Sequence, residues 1–169
     1  MPGDRPAVEN VTCHALPLKL ALPRTLSVLT VLGCGGDRDR AKRPLMGAAC
    51  ARLADVAIFT SDNPRSEDPL AILAEMLAGV LTVPEQERAR VIIEPDRAAA
   101  IGLAVAMAGK GDVVVVAGKG HERGQYVRDS VIPFDDREVA AAAILRHLGQ
   151  APPGEVPPGE EPMPWEVQP

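Results

Sequence analysis

Four consecutive valines, Val113 to Val116, constrain this chain more than any other run. Successive residues of a strand point to opposite faces, so an unbroken β-branched run needs cover on both. The segment Asp112–Ala117 is therefore expected to be the central strand of a buried sheet. Leu26–Leu32 and Asp55–Thr60 are runs of the same kind, and Arg90–Glu94 is a shorter one.

Helical segments separate these runs. Pro44–Leu53 reads as a helix, with proline in the first turn, where its missing N–H has no partner to lose. Asp68 as N-cap and Pro69 at N1 open a second, with Leu70, Leu73, Ala74 and Leu77 on one face and Gly79 as its stop. Asp96 caps a third, Arg97–Ala108, ended by Gly109. Tyr126–Phe134 alternates around Arg128-Asp129-Ser130 as a hairpin does. Asp135 with Glu138 three positions on signals a capping box for a last helix, Arg137–Leu148, closed by Gly149. The order β-α-β-α-β-α-β-hairpin-α predicts an α/β fold: a mostly parallel sheet with helices on both faces and a C-terminal hairpin.

Three units follow from composition. Residues 1–25 are a divergent N-terminal segment, rich in proline and charge and without a clear period. Residues 26–149 form the folded domain. Residues 150–169, with Pro-Pro-Gly-Glu twice, are expected to be a disordered tail, and its Trp165 a solvated side chain. The net charge of −5 comes mostly from that tail, which holds Glu155, Glu160, Glu161 and Glu166. Removing those four from 23 acidic residues leaves 19 against 18 basic ones. So balanced a body argues against nucleic acid as partner. The only membrane-like stretch, Ala15–Leu32, is broken by Pro17, Lys19, Pro23 and Arg24, so no membrane span or targeting segment is expected. Cys13, Cys34 and Cys50 are odd in number and form no Cys-x-x-Cys pair, which suits reduced thiols in the cytoplasm. His14, His121 and His147 are scattered, so no metal site is expected.

Chemistry concentrates in three loops, each following an apolar strand: Gly33–Asp39, Ser61–Pro69 and Gly118–Glu122. In open α/β sheets the ligand crevice lies beyond the carboxyl ends of the strands. Arg65 offers a planar fork suited to a carboxylate, and Asp62 can accept from an ammonium. Asn63 both donates and accepts, and Pro64 stiffens the turn. Glycines 118 and 120 let the backbone approach a ligand, with Lys119 and Glu122 supplying opposite charges. Mixed signs in one crevice suit a zwitterionic small molecule. The bland alternatives are that Arg65 pairs with Glu67 or Asp68 on the surface, and that Arg38, Arg40, Lys42 and Arg43 form a solvated face. Gly33-Cys34-Gly35-Gly36 matches neither nucleotide-binding glycine motif in full. No complete catalytic set is present.

Gly33-Cys34-Gly35-Gly36-Asp37-Arg38-Asp39, Lys42-Arg43-Pro44-Leu45-Met46-Gly47, Asp62-Asn63-Pro64-Arg65 with Glu67-Asp68-Pro69, and Gly118-Lys119-Gly120-His121-Glu122 together resemble the C-terminal domain of the Mur ligases, nearest its diaminopimelate-adding members. The likeness runs from about Leu29 to Leu148. It implies a Rossmann-like domain that holds the amino-acid substrate of an ATP-dependent amide ligase of peptidoglycan synthesis. It also implies that Arg38, Asp62, Asn63, Arg65, Gly118 and Glu122 contact meso-diaminopimelate. ATP and Mg2+ serve the full family enzyme, and neither is expected to bind tightly to this chain alone, which lacks the ATP-binding P-loop. The UDP-muramoyl dipeptide is expected to bind only with the family's other domains. The chain by itself is thus expected to be inactive as a ligase. The competing reading is a non-catalytic binding module or decayed fragment; a third is a small nucleotide-binding protein using the glycine loops.

Overall fold

Val31 and Leu32 are neighbours on strand β1 (Val28–Cys34), yet they enter two different cores of the computed structural model, which describes residues 26–151. Leu32 packs with Phe59, Ala51, Leu73 and Met76. Val31 packs with Ile58, Ala100, Ile101 and Ala104. This is the period-two alternation of a strand covered on both faces. The expectations for residues 1–25, and for the tail beyond residue 151, lie outside the described residues.

After β1 come α1 (Lys42–Leu53), β2 (Val56–Ser61), α2 (Pro69–Val80), β3 (Arg90–Ile93), α3 (Arg97–Met107), β4 (Val113–Ala117), β5 (Gly124–Val127), β6 (Ser130–Pro133) and α4 (Asp136–His147). The sheet order is β3-β2-β1-β4, with every pairing parallel. Helices α1 and α2 cover one face, α3 and α4 the other. The expected α/β architecture is present. Strands β5 and β6 form a separate antiparallel hairpin. The hairpin starts at Gly124, two residues before the expected Tyr126.

The caps fall where the sequence places them. Asp68 accepts from Leu70 N, Asp96 from Ala99 N and Asp135 from Arg137 N. Each satisfies an amide that the first helical turn leaves unpaired.

Three expectations need correction. The valine strand is not central: among the described residues β4 is an edge, and all five of its residues are only half-buried. Apolar side chains report covered faces, whereas strand order depends on backbone pairing that no side chain encodes. Gly79 does not stop α2, which runs to Val80. Instead a Cβ there would lie 1.8 Å from Pro44 O, and one at Gly47 would lie 2.1 Å from Met76 O. These two glycines let the backbones of α1 and α2 cross in contact. Gly109 does not end α3 either; Ala108 is its C-cap, and the Asp112 carboxylate accepts from Gly109 N.

Candidate functional site

Parallel register brings the three loops to one end of the sheet. Cys34 at the end of β1 lies beside Ser61 at the end of β2, and Leu32 lies beside Ala117 at the end of β4. The loops that follow enclose a cleft of about 350 Å³. Arg38, Asp62, Asn63, Arg65, Gly118 and Glu122 all line it. The six residues singled out in the sequence therefore share one site. Gly118 closes its floor: with φ at +103°, an added Cβ would lie 2.5 Å from Gly33 O.

Asn63 is the hub of this arrangement and is 2% exposed. Its Oδ1 accepts from Lys119 Nζ at 2.9 Å and from Tyr126 N at 3.0 Å. Its Nδ2 donates to Glu122 Oε2. One amide thus ties the loop after β2 to the loop after β4 and to the hairpin. Buried polar groups in such a network are held in one orientation, because any other leaves a partner unsatisfied.

Asp62 is the opposite case. It is 7% exposed, and its Oδ1 has no hydrogen-bond partner. Burial pushes its carboxyl above the ordinary carboxylate range, with Arg97 and Lys119 opposing and Glu122 and Asp136 reinforcing the rise. An orphaned buried carboxylate oxygen is costly, and this one is sealed from solvent although the residue lines the cleft.

Arg65 sits in the left-handed region, with φ at +51°. That strain is held by the hairpin: Arg65 N donates to Tyr126 O at 3.0 Å, and Arg128 N donates to Arg65 O at 2.7 Å. Its guanidinium donates to Gly36 O at 2.8 Å and lies 6.0 Å from the centre of the Tyr126 ring. It does not pair with Glu67 or Asp68, because those carboxylates are engaged elsewhere. Glu67 binds Arg43 and the Asp37 amide, and Asp68 caps α2. Arg38 stands exposed at the mouth of the cleft.

Sequence reasoning misread two supporting residues. Arg43 is no solvated cation; it is 1% exposed and donates to Glu67, Glu75 and Gly35 O. Nothing within its own helix announces this, since both acidic partners arrive from after β2. Lys119 was credited with a charge in the cleft, but it is buried behind it, 3% exposed, donating to Asn63 Oδ1 and Gly124 O. Its place between two glycines was the available signal.

Two amides of the glycine loop are already engaged and withheld from an anion: Gly36 N donates to Asn63 O at 2.8 Å and Asp37 N to Glu67 Oε1 at 2.6 Å. Cys34 lines the cleft, but burial and then the nearby Asp62 charge push its thiol up to about 11. It stays protonated and is no nucleophile at neutral pH. Among the described residues no group of three or more His, Cys, Asp or Glu side chains is placed to hold a metal ion. Among them, too, no helix is long and apolar enough to cross a membrane.

Comparison with known proteins gives the family. The family described as "Mur ligase, glutamate ligase domain" matches residues 18–120. The UDP-N-acetylmuramoyl-L-alanyl-D-glutamate–2,6-diaminopimelate ligase of Streptomyces coelicolor is 63% identical over 119 residues, covering 70% of this chain and 24% of that enzyme. The enzyme of the same name from Geobacillus thermodenitrificans is 57% identical over 118 residues, covering 70% and 23%. A solved structure of a ligase with that name superposes with a TM-score of 0.65 at 42% identity, covering 72% of this chain and 24% of the other. The chain spans about a quarter of the length of the curated relatives it matches.

Proposed function

This chain belongs to the Mur ligase family, and from that premise we propose that it is the meso-diaminopimelate-binding domain of an ATP-dependent amide ligase of peptidoglycan precursor synthesis. The observation that carries the reading is the Asp62 carboxylate in a cleft that Arg65, Arg38 and Glu122 also line. An amino acid's ammonium suits that carboxylate, and its own carboxylate suits the guanidinium forks. Glu122, oriented by Asn63, adds a second acceptor for ammonium.

Diaminopimelate differs from lysine by one carboxylate. A guanidinium placed for that carboxylate is left facing nothing when lysine binds, which penalises the wrong substrate. In the reaction that the family resemblance implies, the γ-phosphoryl group of ATP would pass, with Mg2+, to a carboxylate of the UDP-muramoyl dipeptide, giving ADP and an acyl phosphate. The amine of the diamino acid attacks its carbonyl carbon, the amide bond forms and phosphate leaves. The part of these residues is to bind and orient the diamino acid. The sequence contains no G-x-x-x-x-G-K-[ST], so this reading assigns ATP and Mg2+ to the other three quarters of such a ligase. We place the protein in the cytoplasm, in keeping with Cys34 and Cys50 standing in no disulfide.

Calorimetric titration of the chain with meso-diaminopimelate, lysine and ADP tests the proposal. Binding of meso-diaminopimelate at least about tenfold tighter than lysine, the worth of one charge-assisted hydrogen bond, is the expected result. Silence with all three ligands would support a decayed fragment, and ADP binding alone would support a nucleotide site. No amide product is expected from dipeptide precursor, ATP, Mg2+ and meso-diaminopimelate with the chain as the sole protein.

A further inference from the structure

Behind the cleft lies a buried ion pair that bridges two helices and two strand ends. Arg97 at the start of α3 has a fully buried side chain, and Asp136 at the start of α4 is 8% exposed. Arg97 Nε donates to Asp136 Oδ1 and Nη2 to Oδ2, each at 2.7 Å. The same guanidinium donates to Ala117 O at 3.1 Å and, more weakly, to Ser61 O at 3.4 Å. Those carbonyls end β4 and β2, immediately before Gly118 and Asp62. Neither Arg97 nor Asp136 lines the cleft.

We propose that Arg97, held by Asp136, is a positioning residue of the ligand site: its guanidinium fixes the two strand ends from which Asp62-Asn63 and Gly118 enter the cleft, and keeps a positive charge behind the Asp62 carboxylate. A buried pair of this kind is a poor source of net stability, because desolvation offsets most of its attraction. It is a good source of geometry. The planar fork has donors in fixed directions and so sets the separation of two backbones and a helix terminus at once. A lysine there would hold a point charge without that fork. Electrostatics adds a second role, since the Arg97 charge opposes the burial that raises the Asp62 carboxyl. The other groups facing Asp62 are Lys119 and Glu122 from the loop after β4, Asp136 from α4, and Cys34 at the end of β1, whose thiol is neutral. Asp136 acts on Asp62 in the opposite sense to Arg97. The two members of the pair therefore give variants that move Asp62 in opposite directions.

The ligand arm of this inference rests on the proposed diaminopimelate site; the structural arm does not. The experiment is a carboxyl NMR titration of Asp62 in the ligand-free chain, with amide hydrogen exchange at Asp62, Asn63 and Gly118 and calorimetry with meso-diaminopimelate across pH. The variants are Arg97→Gln, Arg97→Lys and Asp136→Asn. Arg97→Gln is expected to raise the Asp62 midpoint by about one pH unit, and Asp136→Asn to lower it. Arg97→Lys leaves the midpoint near its original place but speeds exchange at the three amides. It also weakens meso-diaminopimelate roughly tenfold at temperatures where the protein is fully folded. A merely structural pair would lower the melting temperature while leaving exchange at the three amides and meso-diaminopimelate affinity unchanged in the folded variants, and that result overturns the proposal. If Arg97→Gln does not fold, Arg97→Lys and Asp136→Asn decide the matter between them. If the unaltered chain ignores meso-diaminopimelate, the ligand assignment fails, while the midpoint and exchange data still accept or reject the brace.

Discussion

Asn63 and Glu122, 59 residues apart in the chain, are joined side chain to side chain by a hydrogen bond from Nδ2 to Oε2. That bond closes the site, because each residue sits in a loop leaving a different strand. Lys119 Nζ and Tyr126 N occupy the Asn63 carbonyl, so the amide cannot turn over without losing partners.

Asn63→Ala strands the Lys119 ammonium, the Tyr126 amide and the Glu122 carboxylate at once. The expected cost is about 2–4 kcal/mol of folding stability, from buried groups left unsatisfied. Urea unfolding measures it. Binding of meso-diaminopimelate should vanish at temperatures where the variant remains folded.

Asp62→Asn should separate stability from binding. The folded state holds the Asp62 carboxyl above its ordinary range through burial, so an ionised Asp62 opposes folding at neutral pH. The variant is expected to be more stable than the original by about 1 kcal/mol at pH 7. The gain should fade in acid, where Asp62 is protonated in folded and unfolded chains alike. Ligand binding is lost at every pH.

Glu67 predicts the reverse pH dependence. The hydrogen-bonded Arg43 guanidinium, and then the Asp37 amide, hold its carboxyl down to about 2. Its stabilisation is complete above the unfolded carboxylate value of about 4.3 and is lost as pH falls toward 2. Glu67→Gln should therefore be less stable than the original at pH 7, with the gap closing between those limits. Thermal melts across that range provide the check.

Two glycine replacements should have opposite signs. Gly79→Ala drives a Cβ into Pro44 O and should cost about 1–3 kcal/mol or more, since one helix must shift off the other. A Cβ at Gly102, within α3, meets nothing within 4 Å. Gly102→Ala is expected to stabilise by about 0.5–1 kcal/mol through the unfolded chain's lost freedom. Urea midpoints of the two variants test the pair.

What the sequence disclosed and what it hid divide along physical lines. Asp68, Asp96 and Asp135 were legible as caps because the amide each satisfies lies within three residues. The three site loops were legible because strands ending in glycine and charge must open at one edge of a parallel sheet. Strand order was not, since Val113–Val116 advertise two covered faces and say nothing of which backbone lies alongside. Arg43 and Arg97 hid for a related reason: their carboxylate partners, Glu67 and Asp136, lie 24 and 39 residues away. Gly79 resembled a helix stop because its actual neighbour, the Pro44 carbonyl, belongs to another helix.

The account turns on Arg65 reading the carboxylate that diaminopimelate has and lysine lacks. Its most direct test is the ratio of meso-diaminopimelate to lysine affinity, measured by calorimetry in the original chain and in Arg65→Ala. A preference of at least about tenfold that collapses toward unity in the variant, with lysine affinity little changed, is the predicted result. A preference that survives Arg65→Ala intact would contradict it.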